Sequence, residues 1–198
     1  MRGWHNQSWR HSLAARRIKT SNKYLNGRVL ARSRHGIPIT VQQDPKPGTA
    51  YPVSAKDIKT VLDKMPDEAV EKLKEVNLRP PSEVAGAKQN LAYAQWVRTR
   101  ENGGNRINIF TQKYKNGKFK DVEPDKEDPD NLRAHMKNYV IPHEIGHHVV
   151  TKEDNKMPII LEEAKADAFA ARENYNDPYV IDRHISNRIM QFGNKGTV

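Results

Sequence analysis

The residues with the clearest chemistry form the hexapeptide His-Glu-Ile-Gly-His-His at positions 143–148. On an α-helix, His143 and His147 project from one face because they are four residues apart. Two imidazoles in this arrangement can hold one Zn²⁺ ion at about 2.0–2.1 Å. Glu144 lies beside them, where it can take a proton from water that the metal makes more acidic. The spacing therefore predicts a hydrolytic zinc site.

The residues around this motif favour a functional site over a chance match. Five aliphatic residues make this one of the most apolar stretches in a very polar chain: Val140, Ile141, Ile145, Val149 and Val150. Burying two histidines and a glutamate among them is costly unless a metal ion or hydrogen bonds satisfy their polar atoms. The alternative, a surface helix that carries two histidines by accident, does not explain this apolar context.

A zinc site with two histidines needs a third protein ligand and leaves the fourth position to water. The chain has no cysteine, so a thiolate ligand is excluded. A third histidine at metzincin spacing, six residues after His147, is also excluded because Glu153 stands there. The remaining candidates lie in residues 161–171, a stretch rich in strong helix formers.

Four residues of this downstream helix share one face: Glu163, Ala166, Asp167 and Ala170. The small alanines allow a close approach to the first helix, where Gly146 offers a matching gap. Glu163 is the predicted third ligand. Asp167, one turn later, is placed to accept a hydrogen bond from the far ring nitrogen of a ligand histidine. Glu162 stays open as an alternative ligand, although only Glu163 has an aspartate four residues later.

The pattern His143-Glu144-x-x-His147 followed by Glu163-x-x-Ala166-Asp167 resembles the gluzincin metallopeptidases. The short gap between His147 and Glu163 is similar to that of the compact members, the minigluzincins and the ImmA/IrrE-type peptidases. The resemblance, most specific over residues 139–171, implies an α+β fold with a small zincin-like catalytic domain that hydrolyses peptide bonds in a protein or peptide substrate. It makes His143, His147 and Glu163 the zinc ligands, Glu144 the general base and Asp167 the partner of a ligand histidine.

The order of predicted elements agrees with such a domain over residues 54–198. Ser54 and Asp57 predict a capped helix, and Pro66 starts a second, shorter one. Strands are expected at residues 76–78, 91–98 and 107–114, the last returning as residues 118–122 through a turn at Asn116-Gly117. A helix over residues 132–139 leads to the helix that carries His143 and His147 (the metal helix) and then to the helix that carries Glu163 (the glutamate helix). A last helix is expected from Asp177 to Phe192. The prediction is therefore backing helices, a short antiparallel sheet, the metal helix and the glutamate helix.

Three details of this arrangement stay open in the sequence. Pro142 immediately precedes His143, so the metal helix either begins at Pro142 or is bent there. In zincins an exposed edge strand pairs with the substrate backbone, and we expect one strand of the hairpin over residues 107–122 to take that role. Tyr139, Tyr175, Tyr179 and His184 are candidates for an additional oxyanion donor.

Positive charge is concentrated at the N-terminus. Residues 1–36 contain nine of the 34 Lys and Arg residues and no Asp or Glu, which leaves 25 basic and 24 acidic residues in the rest of the chain. Aromatic residues such as Trp4, Trp9 and Tyr24 lie among these cations. Cations bind phosphates and aromatic rings stack on bases, so residues 1–36 are predicted to be a basic arm that binds nucleic acid. A solvated tail, a docked helix and a removable pro-segment are the alternatives.

Composition limits the remaining possibilities. Residues 37–53, rich in proline and glycine, predict a linker between the basic arm and the catalytic domain. No apolar run approaches the roughly 20 residues that span a bilayer, and the N-terminus lacks the apolar region of a secretory signal. We therefore expect a soluble, cytoplasmic protein without a membrane partner. The alternative to an enzyme is a binding protein for nucleic acid or an acidic partner, built on a zinc-stabilised scaffold, in which Glu144 would have no structural role.

Overall fold

A five-stranded sheet lies at the centre of the computed structural model, which describes residues 27–71, 73–81, 93–99, 104–153 and 159–174. The strands follow the spatial order β1-β2-β4-β6-β5. Their bounds are Arg28–Arg32 (β1), Pro38–Val41 (β2), Leu73–Arg79 (β4), Gly104–Phe110 (β6) and Ala94–Thr99 (β5). A smaller sheet joins Thr49–Ala50 (β3), Gln112–Lys115 (β7) and Lys118–Phe119 (β8). With five described α-helices, the architecture is mixed α+β.

The central sheet is mixed, so the prediction of an antiparallel sheet is wrong. Strand β4 runs parallel to both β2 and β6, whereas β1 and β5 pair antiparallel at the two edges. Parallel neighbours require a crossover connection rather than a tight turn. The chain between β2 and β4 supplies one, because it contains the helices Ala55–Lys64 (α1) and Asp67–Val70 (α2).

The predicted linker over residues 37–53 is a second correction. Strand β2 lies within it, and β1 lies within the segment assigned to the basic arm. Every residue of β2 is buried, and Ile39 and Val41, which alternate with Pro38 and Thr40, belong to the hydrophobic core. A strand that is covered on both faces shows this pattern. Pro38 is tolerated because it is the first residue of its strand. The predicted domain boundary at residue 54 therefore falls after two strands of the central sheet, while residues 1–26 of the arm lie outside the described residues.

The helix-facing side of the sheet is apolar. Cross-strand pairing aligns Ile39, Val76 and Ile107 in one row and places Trp96 of β5 next to Ile107 on the same face. The three aliphatic residues are fully buried in the hydrophobic core. Burial of this face holds the helices against the sheet, and it directs the Trp96 side chain towards them.

Helix α1 begins as predicted at a capping box between Ser54 and Asp57. Asp57 also accepts two hydrogen bonds from the guanidinium group of Arg133, at 2.8 and 3.0 Å, in the helix Pro129–His135 (α3). Burial alone would raise the pKa of Asp57, but the hydrogen bonds from Arg133 and Ser54 lower it to about 2. This buried carboxylate therefore connects α1 to the helical segment that carries the metal motif.

Helix α3 continues through a π-helical turn, Met136–Val140, into the helix Ile141–Glu153 (α4). The metal helix therefore does not begin at Pro142. Proline has no N–H group and its ring clashes with the carbonyl four residues earlier; the wider turn accommodates both effects, since Ile141 donates its N–H to the carbonyl of Met136, five residues back. The glutamate helix spans Ile159–Asn174 (α5).

Several other sequence predictions can be compared with the described residues. The strands expected at residues 76–78 and 91–98 are present as β4 and β5. The Asn116-Gly117 turn is confirmed, with positive φ angles at both residues. The strand expected over residues 107–114 divides into β6 and β7, which belong to different sheets. The last predicted helix, residues 177–192, lies outside the described residues. No described helix combines the length and apolar character needed to cross a membrane.

Candidate metal centre

The metal helix α4 and the glutamate helix α5 pack directly on each other at Gly146. A Cβ atom on Gly146 would lie 2.7 Å from the Cα atom and 2.8 Å from the carbonyl oxygen of Ala166. Ala166 is fully buried at this contact. A side chain at position 146 would therefore push the two helices apart, and the interpretation of Gly146 and the alanine face as a close contact is confirmed.

This contact brings His143, His147 and Glu163 together as one group of donor atoms. The Nε2 atoms of the two histidines are 3.0 Å apart, and each lies 3.5 Å from a carboxylate oxygen of Glu163. Tetrahedral zinc bonds of about 2.0–2.1 Å place donor atoms about 3.3–3.4 Å from one another. The three residues predicted as ligands therefore form a group of donor atoms that could hold a metal ion.

Asp167 lies on the far side of the His143 ring, as predicted. Its Oδ1 atom is 2.7 Å from Nδ1 of His143, and it accepts a 2.7 Å hydrogen bond from the hydroxyl group of Tyr139. Burial by itself lowers the pKa of His143, but the carboxylates of Asp167 and Glu163 outweigh that effect and raise it to about 9. The surroundings of His143 thus favour a positive charge, which a proton or a metal ion can supply.

Glu162 occupies the equivalent place beside the other histidine. Its Oε1 atom lies 3.2 Å from Nδ1 of His147, on the opposite side of that ring from Glu163. The two neighbouring glutamates therefore have different contacts, since only Glu163 lies near the Nε2 atoms of both histidines. The sequence pattern leaves Glu162 open only as an alternative ligand, and its contact with Nδ1 of His147 is a different role. Its adjacency to Glu163 was the available signal, because consecutive helical residues point about 100° apart and can contact different parts of a site.

Glu144 lies at the boundary between the metal helix and strand β5. It is 9 % exposed, and it accepts a 2.5 Å hydrogen bond from the backbone N–H of Trp96. Burial raises the pKa of its carboxyl group, against the opposing effect of the two histidines. Glu144 therefore does have a structural contact, and its presence alone does not separate an enzyme from a zinc-stabilised scaffold.

Among the described strands, the edge strand that contacts Glu144 is β5, whereas the prediction named a strand of the hairpin over residues 107–122. Strand β6 lies between β4 and β5, so it has no free edge. Phe110 donates its N–H to the carbonyl of Tyr93, and hydrogen-bonded pairs alternate with open pairs along an antiparallel ladder. The backbone groups of Ala94 and Trp96 consequently point away from β6. No described strand pairs with this outer edge.

His148, the third histidine of the motif, belongs to the core rather than to the metal centre. It is fully buried; its Nε2 atom donates to the carbonyl of Glu71 at 2.5 Å, and its Nδ1 atom contacts the amide group of Asn105 at 2.6 Å. The donated hydrogen assigns the proton to Nε2 and leaves Nδ1 as an acceptor. His148 is therefore not a member of the group formed by His143, His147 and Glu163.

One hydrogen bond removes Tyr139 from the candidates for an oxyanion donor. The hydroxyl group of Tyr139 donates to Asp167 behind His143, so it is committed to that carboxylate. Tyr175, Tyr179 and His184 lie outside the described residues. Trp96 is an additional neighbour that the sequence analysis did not identify, with its ring stacked on that of His147 at a centroid distance of 6.4 Å.

The substitution Gly146→Ala is expected to weaken both the fold and the metal site. Overpacking costs about 1–3 kcal/mol, and the better helix propensity of alanine offsets up to about 1 kcal/mol. We expect denaturant unfolding to show a net loss of about 1–2 kcal/mol, and a zinc titration to show weaker binding because Glu163 moves away from the histidines. Gly117→Ala is the control: its φ of +74° makes alanine strained, but no atom lies within 4 Å of the added Cβ. Equal zinc affinity in both variants would contradict the proposed role of the helix contact.

Comparison with known proteins supplies no relative, since no family model, curated protein or solved structure matches the chain. The similarity to gluzincins therefore depends on the motif residues.

Proposed function

We propose that this chain is a zinc-dependent endopeptidase in which Glu144 is the general base. The observation that carries the proposal is the donor geometry: two imidazole nitrogens and one carboxylate from two helices converge at 3.0 and 3.5 Å. His143, His147 and Glu163 are the proposed ligands. A bound zinc ion would polarise a carbonyl group and lower the pKa of water towards about 7.

The protein supplies the proton transfers through the carboxylate of Glu144. A general base must reach the proton that it abstracts and should have a pKa near the working pH. Burial raises the pKa of Glu144 from its ordinary value, which makes the carboxylate a better proton acceptor. The proton taken from water then passes from Glu144 to the nitrogen of the leaving amine.

The outer edge of β5 supports an extended peptide as the substrate. The backbone groups of Ala94 and the carbonyl group of Trp96 point away from β6, where they can pair with another strand, as in other cases of strand addition. Glu144 contacts this edge at the Trp96 N–H, so a peptide that lies along β5 would pass directly beside the proposed base. Main-chain pairing of this kind holds a scissile carbonyl without requiring a particular side chain.

The competing proposal is a nucleic-acid-binding protein without enzymatic activity. Three of the nine cations in residues 1–36 belong to the fold, where Arg28 contacts Asp44, Arg32 donates to the carbonyl of Gly36 and Arg34 donates to that of Met65. The binding proposal therefore depends mainly on the six cations in residues 1–26. The two proposals are compatible, because a basic arm that binds nucleic acid would bring the peptidase to protein substrates on nucleic acid.

Metal content and chelation test the main proposal. We expect elemental analysis of the purified chain to find about one zinc per molecule. We also expect an unfolded protein such as casein to be cleaved, with cleavage abolished by a chelator and restored by zinc. Mass spectrometry of the fragments would identify hydrolysed peptide bonds. Absence of zinc after reconstitution would refute the metal site, while salt-dependent nucleic-acid binding without cleavage would favour the competing proposal.

A further inference from the structure

We propose that Tyr139 is a positioning residue of the metal centre, whose hydroxyl group holds the Asp167 carboxylate that in turn orients His143. This inference rests on the proposed zinc site but not on proteolysis. The three side chains form a continuous series, with 2.7 Å from the Tyr139 hydroxyl oxygen to Oδ1 of Asp167 and 2.7 Å from that same atom to Nδ1 of His143.

Burial makes the hydroxyl group important to Asp167. This residue is 2 % exposed, and a carboxylate removed from water needs hydrogen-bond donors to remain charged and fixed in orientation. Tyr139 and His143 both approach Oδ1, so loss of one donor leaves the carboxylate with less restraint. His143 would then lose a fixed partner for Nδ1, and with it part of the orientation that directs Nε2 towards the metal.

The aromatic ring of Tyr139 is held independently of its hydroxyl group. It lies 5.6 Å from the ring of His143 and stacks on the ring of His135 at 5.3 Å, while His135 contacts Tyr93 edge-on at 5.9 Å. Ring packing of this kind persists when tyrosine is replaced by phenylalanine. The substitution Tyr139→Phe therefore removes the proposed interaction without removing the packing.

The backbone around Tyr139 is also specialised. Tyr139 lies within the π-helical turn Met136–Val140 that precedes Pro142. Such turns are rare and frequently occur at functional sites. The turn belongs to the same continuous helical segment as His143, so Tyr139 and His143 are held on one rigid element while Asp167 approaches from α5. The hydroxyl group thus connects the metal helix to the glutamate helix behind the ligands.

Zinc affinity is the appropriate measurement, since a purely structural role for the ring would not change it in Tyr139→Phe. We expect competition with a chromophoric chelator to show a dissociation constant raised about tenfold, at the lower end of the effects seen when partners of metal ligands are lost. The control is Tyr114→Phe, on a tyrosine whose ring packs against Phe119 in the β7–β8 hairpin. We expect it to bind zinc like the wild type. Thermal unfolding of the metal-free proteins would exclude a general loss of folding.

A double-mutant comparison tests whether Tyr139 acts through Asp167. Asp167→Asn should weaken zinc binding, and adding Tyr139→Phe to it should cause little further loss. Wild-type affinity in Tyr139→Phe, or independent losses that multiply in the double variant, would overturn this inference and leave the proposed function in place. A wild-type chain that binds no zinc would overturn both.

Discussion

Replacing Glu144 by glutamine is expected to leave zinc bound and to lower the rate of peptide cleavage by about 10²–10⁴-fold, the contribution that general acid–base catalysis usually makes. Glutamine has almost the same shape as glutamate, and its amide oxygen can still accept the hydrogen bond from the Trp96 N–H. The fold and the three proposed ligands should therefore be unchanged. What disappears is a carboxylate that can accept a proton from water.

The measurement for Glu144→Gln combines cleavage rate and zinc content on the same preparations. Glu173→Gln is a suitable control because Glu173 lies near the end of α5 and pairs with Arg172. It should retain both activity and metal. A Glu144→Gln variant that cleaves as fast as the wild type would refute the assignment of the base. Loss of zinc together with activity would instead indicate that Glu144 holds the structure of the site.

Glu163→Ala is expected to reduce zinc affinity by more than about 100-fold, because loss of an outer partner of a ligand already costs about 10–100-fold. Each carboxylate oxygen of Glu163 lies 3.5 Å from the Nε2 atom of one of the two histidines, where it can bind the same metal ion. Without it, two imidazoles remain, which is fewer than the three protein ligands of catalytic zinc sites. Alanine is a strong helix former, so α5 should stay folded in the metal-free chain.

The substitution Glu162→Ala, compared with Glu163→Ala, distinguishes the proposed zinc ligand from a residue that only contacts a ligand histidine. Glu162 contacts Nδ1 of His147 rather than the proposed metal position. We expect this variant to bind one zinc ion with affinity reduced about 10–100-fold, which is a smaller loss than in Glu163→Ala. Zinc titrations of the two variants and the wild type make the comparison. A larger loss in Glu162→Ala would reverse the assignment of the third ligand.

Local patterns predicted the parts of this protein whose interactions are near in sequence. The capping box at Ser54 and Asp57, the Asn116-Gly117 turn and the helical spacing of His143 and His147 all involve residues within four positions of each other. Helix geometry relates such residues directly, whatever the rest of the chain does. The small residues Gly146 and Ala166 also indicated a close helix contact before its distance was known.

The misassigned segment at residues 37–53 shows the limit of this reasoning. Prolines and glycines there suggested a linker, but β2 is buried between β1 and β4. Its partner β1 is near in sequence, but β4 lies far along the chain, and the parallel register with β4 has no local signal. Strand pairing of this kind is decided by burial of the apolar face in the complete sheet.

The residue types and helical spacing of the candidate metal centre follow from local sequence, because a helix turn relates His143 to His147 and Glu163 to Asp167. Three further relations depend on tertiary packing: how the two helices meet, which of Glu162 and Glu163 faces both Nε2 atoms, and which strand lies beside Glu144. The hydrogen bond from the Tyr139 hydroxyl group to Asp167 is a fourth relation of this kind. These relations join residues that are distant in the chain, and the packing of α4 against α5 and β5 brings them within hydrogen-bonding distance.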